Sequence, residues 1–134
     1  MPKEIVNPSE LPAPRGFNHA ILASGGKVLF LAGQDASDAE GKIVAPGDLT
    51  AQFEQVLHNL RAVVQAAGGT MHDIVKLNIF VKDRDAYVAN LDALGKTFRR
   101  YFEGHYPAMA LFEVSAFFRD ENLIEMEGFA YLED

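Results

Sequence analysis

A change of hydrophobic period in the middle of the chain restricts the fold more than any other feature. Phe53, Val56, Leu57, Leu60, Val63, Val64 and Ala67 recur at helical spacing, which gathers them on one stripe of an α-helix. Asp48 is placed to cap its start, where a carboxylate can accept orphan backbone N–H groups, and Gly68-Gly69 ends it. A few residues later Val75, Leu77, Ile79 and Val81 alternate with Lys76, Asn78 and Lys82, the period of a strand with one face on a core. A one-striped helix running into a one-faced strand is satisfied when the helix covers the sheet.

The flanking segments supply more of each layer. Residues 1–16 carry Pro2, Pro8, Pro12 and Pro14, which fix backbone angles and remove amide donors, so they are expected to form an extended arm at most. Ile21-Leu22-Ala23 reads as a short strand, Gly25-Gly26 as a hairpin turn, and Val28 to Ala32 as the returning strand. The unbroken apolar character of the latter predicts burial on both faces. It stops at Gly33-Gln34-Asp35, where a glycine lets a ligand or another backbone approach. Asp38 to Pro46 is a polar loop.

A second helix is predicted from near Asp85, with Tyr87, Leu91, Leu94, Phe98 and Tyr101 or Phe102 at helical spacing. Gly95 inside it costs about 1 kcal/mol relative to Ala and hints at close packing. Met109 to Phe117 and Leu123 to Leu132 follow as strands, joined by a connection of hairpin length. The order β-β-α-β-α-β-β points to an α+β fold, a mixed sheet with two helices on one face and a right-handed crossover. The other sheet face is left uncovered, and an open apolar face of this kind predicts a symmetric oligomer.

At 134 residues, with about half of them apolar and no internal repeat, the chain is expected to be a single domain, 1–134. It shows neither a basic and apolar leader nor an apolar run near the roughly 20 residues a bilayer requires. A soluble, cytoplasmic protein without a membrane partner is the expectation. With no cysteine, disulfides, thiolate metal sites and a cysteine nucleophile are excluded. Twelve Lys and Arg against 19 Asp and Glu repel phosphate backbones, so no nucleic-acid partner is expected. Lys96, Arg99 and Arg100 are the densest basic group and read as a solvated helix face complementing the dipole.

Chemistry must then come from His, Glu, Asp, backbone groups or water. In the last strand Leu123, Glu125, Glu127 and Phe129 point one way and Ile124, Met126, Gly128 and Ala130 the other. Glu127 reads as solvated. Glu125, if desolvated beside apolar neighbours, would have a raised pKa and could hold or activate water. His19, next to Asn18 before a strand, could transfer protons, although a hydrogen-bonding histidine on a surface loop is the commoner role. His58, His72 and His105 have no spacing that converges on a metal. Ser24 and Ser115 lack a nucleophile-elbow context, and no phosphate loop is present. No metal and no cofactor is expected, and the pocket is placed near Gly33, Glu125 and the start of the Met109 strand.

Several segments, in order, carry a resemblance: Phe17-Asn18-His19-Ala20, Leu31-Ala32-Gly33-Gln34, Ala51-Gln52-Phe53 with Asn59-Leu60, Ala66-Ala67-Gly68, Asp73-Ile74-Val75-Lys76, Phe80-Val81-Lys82-Asp83, Tyr106-Pro107-Ala108 and Ile124-Glu125-Met126-Glu127. Over nearly its whole length the chain resembles the RidA/YjgF (reactive intermediate deaminase) family. The resemblance implies a chorismate-mutase-like α+β fold in a barrel-like homotrimer with three clefts between subunits. It also implies hydrolysis of 2-imino and 2-enamino acids to 2-keto acids and ammonia without metal or cofactor. In such members an arginine after the Pro-Ala pair grips the substrate carboxylate. The glycine of a Ser-Gly-Gln turn supplies backbone contacts, a tyrosine lines the cleft, and a glutamate of the final strand positions water.

Carried over, Gly33 matches the turn glycine and Glu125 the water-holding glutamate. Phe17 stands at the tyrosine, Ala32 at the serine, His19 at a glutamine and Met109 at the arginine. A thioether cannot make the bidentate contact of a guanidinium and instead fills apolar space. The expected catalytic groups are therefore Glu125 and His19, with Phe17, Ala32, Gly33, Met109 and Leu111 against the substrate. The expected function is hydrolysis of an imine or enamine other than simple 2-imino acids, less acidic or more apolar. The alternative is a non-catalytic ligand-binding or regulatory homotrimer that keeps the cleft. Ribonuclease activity is disfavoured by the acidic balance.

Overall fold

The computed structural model describes residues 3–134; Pro2 of the predicted arm lies outside them. Strands β1 (Lys3–Val6) and β2 (Ala20–Ala23) form an antiparallel ribbon. Strands β3 (Gly26–Gln34), β4 (Ile74–Val81), β5 (Ala108–Glu113) and β6 (Ile124–Glu133) form a second sheet in the order β3-β6-β4-β5. Only β4 and β5 run parallel, so the sheet is mixed. Helices α1 (Leu49–Ala66), α2 (Arg84–Ala89) and α3 (Leu91–Phe102) complete an α+β fold.

Helix α1 starts where its cap chemistry dictates. The Asp48 carboxylate accepts the Ala51 N–H at 3.1 Å and the Thr50 hydroxyl at 2.9 Å, and these contacts hold its pKa below the ordinary range. From the stripe, Phe53, Val56, Leu57, Leu60 and Val64 are buried with Leu31, Leu77, Ile79, Met126 and Ala130 of the sheet. Leu94, Phe98 and Phe102 of α3 join the same core.

Several expectations are corrected. The proline-rich arm contains β1, because Lys3 to Val6 precede the next proline and keep their amide donors. The chain does turn at Gly25, with φ +77°, but β2 pairs with β1 and not with β3. Strand β3 is buried on one face only: Leu31 is buried while Val28 and Phe30 are exposed, since β3 is an edge strand with helices on one side. The second helix is two, interrupted at Asn90, whose side-chain amide donates to the Ala86 carbonyl at 2.7 Å and competes with the helical ladder.

Strands β5 and β6 form no hairpin, for β6 inserts between β3 and β4. The 114–123 connection therefore crosses β4, tied by Val114 N–H to Val81 O at 2.9 Å and Lys82 N–H to Leu123 O at 3.0 Å. In β4 a register shift between Ile74 and Lys76 puts Ile74, rather than Val75, in the core.

Candidate functional site

Strand β5 fixes the first half of the site. Its parallel register sets Met109 beside Leu77 and Leu111 beside Ile79, so both side chains lie on the helix-covered face. Asn18 joins the preceding loop to this edge: its backbone N–H donates to Pro107 O at 3.0 Å and its side-chain amide to Tyr106 O at 2.6 Å. That attachment carries Phe17 to the mouth of a cavity of about 420 Å³ between β5 and α2–α3. Phe53, Ile79, Leu94, Phe98, Met109 and Leu111 make its walls apolar, and Tyr87, Tyr106, Arg15 and Arg99 are the residues with polar groups among its lining. Burial pushes the Tyr87 phenol up to about 12, so it remains protonated at neutral pH.

The second half is built by a bulge. Leu31 pairs with Gly128 and Gln34 with Met126, which leaves Ala32 and Gly33 together opposite Glu127, the distortion that re-aims backbone beside functional sites. A Cβ at Gly33 would overlap the Glu125 carboxylate, so a larger residue here would displace that side chain from its present position. Burial raises the Glu125 pKa, and the nearby carboxylates of Asp35 and Glu127 raise it further. Asp35 is held in place by the Ser37 N–H at 3.1 Å, by the Ser37 hydroxyl, and by the Asn122 amide at 3.0 Å. A carboxyl with this bias can exchange a proton with bound water and substrate.

Phe17, Met109 and Leu111 thus share the cavity, and Ala32, Gly33 and Glu125 share the bulge. The two groups lie on opposite faces of the sheet, because Glu125 pairs with Phe80 while Leu111 pairs with Ile79. His19 belongs to neither group. Its Nε2 lies 2.8 Å from Pro12 O, its backbone N–H donates to Asn7 at 2.8 Å, and its ring meets Phe17 edge-on at 5.2 Å. His105 serves structure: Nε2 lies 2.7 Å from Ile74 O, and burial lowers its pKa.

Sequence reasoning missed Asp35 and Asn122, whose partners are far apart in the chain. Arg99 is exposed, as expected of a solvated helix face, and it also borders the cavity. The helix periodicity had already put Tyr87 on an inward stripe, which was the available signal for it.

Comparison with known proteins identifies the family and agrees with the fold. A protein-family model described as Endoribonuclease L-PSP matches residues 8–132. A RutC family protein of Pyrococcus horikoshii is 34% identical over 132 residues, covering 98% of this chain and 99% of that one. Among solved structures, YyfB of the conserved Rid protein family from Yersinia pestis superposes with a TM-score of 0.88 at 38% identity, covering 98% of this chain and all (100%) of that one. RidA from the Antarctic bacterium Psychrobacter sp. superposes at 0.68 with 28% identity, covering 96% and 99%. Matched along nearly its whole length in sequence and in fold, the chain belongs to the Rid family, the RidA/YjgF/L-PSP proteins.

Proposed function

We propose that this protein is a hydrolase of imines or enamines other than simple 2-imino acids, working in clefts between the subunits of a homotrimer. The observation that carries the reading is Glu125, a carboxyl with a raised pKa packed against a glycine bulge, in the position where the family resemblance expects the water-holding glutamate. Its role is to take a proton from water as that water attacks the imine carbon, and to return one as ammonia leaves. Phe17, Met109 and Leu111 shape the substrate side of the cleft, with Ala32 and Gly33 offering backbone contacts from the bulge. Since these halves sit on opposite sheet faces of one protomer, a complete cleft takes the bulge of one subunit and the cavity of its neighbour.

Met109, standing at the position of the family's arginine, supports exclusion of small 2-imino acids, because a thioether offers their carboxylate no bidentate donor. An endoribonuclease role fits less well with a net charge of −7. The engagement of His19 with Pro12 favours one second reading, a ligand-binding trimer without catalysis, because it occupies one of the two expected catalytic groups.

Ammonia release from 2-iminobutyrate tests the proposal. The parent should be nearly inert toward it, and Met109→Arg should gain affinity for 2-ketobutyrate by roughly tenfold. Turnover of 2-iminobutyrate by the parent at the rate of arginine-bearing relatives would sink the exclusion. Failure of the parent to release ammonia from any imine of a bulky apolar acid would favour the non-catalytic reading.

A further inference from the structure

We infer that Arg99 is the anion-binding group of the apolar cavity, so that its ligand is an apolar or aromatic carboxylate gripped from α3 and not from position 109. The assignment deepens the reading above and rests on it only for the cavity being the ligand site. Three observations converge on it. Arg99 borders the cavity together with Phe17, Leu94, Phe98 and Met109. It lies one turn after Gly95, and a Cβ built at Gly95 would meet the Arg99 guanidinium, with Nη1 at 3.1 Å and Cζ at 3.9 Å. The side chain is therefore folded back over Gly95, in the direction in which helical side chains lean.

The third observation is that Arg99 has no acidic partner among the described residues, whereas its neighbour Arg100 does. Arg100 is committed to Glu54, with Nη2 at 2.7 Å from Oε2. Among the described residues the salt bridges are those of Lys3, Arg84 and Arg100, and none involves Arg99. A planar fork with no acidic partner, set at the rim of an aromatic-walled cavity, matches a carboxylate whose remaining atoms are apolar. It also gives a physical use for a glycine inside a helix, where Ala would favour the helix itself. Arg15 borders the same cavity from a loop and likewise makes no salt bridge among the described residues, so what sets Arg99 apart is its place over Gly95 on α3.

Calorimetric titration of the full chain with phenylacetate and with phenylacetamide, which differ in charge and hardly in shape, tests this directly. The parent should prefer phenylacetate by roughly tenfold or more. Arg99→Gln should abolish that preference, Arg99→Lys should keep part of it, and Arg15→Gln should keep most of it. Circular dichroism identical to the parent's would establish that each variant is folded. Equal binding of the two probes by the parent, no binding of either, or an undiminished preference in Arg99→Gln would each overturn the assignment. Binding is read without reference to ammonia release, so absence of deamination would count against the catalytic reading alone.

Discussion

The carboxylates of Asp35 and Glu127 both disfavour charge on Glu125, on top of the larger effect of burial, and this sets the sign of its effect on stability. Because the folded state raises the Glu125 pKa, the folded protein binds that proton more tightly than the unfolded chain does. The contribution is fully present below the ordinary glutamate value and is lost as pH rises through the folded value. An ionised carboxylate there is disfavoured by burial and by its two acidic neighbours, and so weighs on the fold. Glu125→Gln should therefore raise the melting temperature by a few degrees at about pH 7 while leaving it unchanged near pH 4. Thermal unfolding at the two pH values checks this, and a variant less stable than the parent at neutral pH would show that Glu125 holds the bulge together.

The loop that carries Glu121 to Leu123 across β4 is anchored by one side chain of α1. Gln52 is fully buried; its amide donates to Glu121 O at 2.9 Å and to Ala45 O at 3.3 Å, and its carbonyl accepts the Leu123 N–H at 2.8 Å. Gln52→Met keeps the volume but strands these backbone groups, so it should cost roughly 2 kcal/mol or more. Urea unfolding measures it, and a change within 0.5 kcal/mol, the range of ordinary surface substitutions, would mean that water replaces the amide. Gln52 marks what sequence could not reveal at this scale. Helix α1 was legible because its cap, its stripe and its terminal glycines are local signals, and β4 because alternation is local too. Which strands pair is decided by contacts far apart in sequence, so the insertion of β6 beside β4 and the pairing of β1 with β2 were not legible. The same limit applied to Gln52, a polar residue beside the apolar stripe whose partners lie 69 and 71 residues away.

For the whole molecule, the sheet face away from the helices is too apolar to stand alone. Phe30 is 74% exposed, Val28 51% and Phe112 48%, and the aromatic pairs Phe30–Phe129 and Phe80–Phe112, at 5.4 and 5.7 Å between ring centres, continue across it. Contiguous apolar surface of this kind marks an association site. The chemistry argues in the same direction, because Glu125 lies on this face and Met109 on the other. Individual site residues were legible in the sequence as types, but their division between two faces was not, since periodicity gives a strand's two sides without saying which strand lies beside it. Phe30 pairs with Phe129 on this open face, one pair before the bulge, and does not line the cavity. Phe30→Lys should turn the proposed trimer into a folded monomer, read as a threefold drop in sedimentation mass with an unchanged circular dichroism spectrum, and should abolish any hydrolysis that the parent performs. A parent that sediments as a monomer would overturn the shared cleft, and a monomeric variant that remains fully active would place the whole reaction within one subunit.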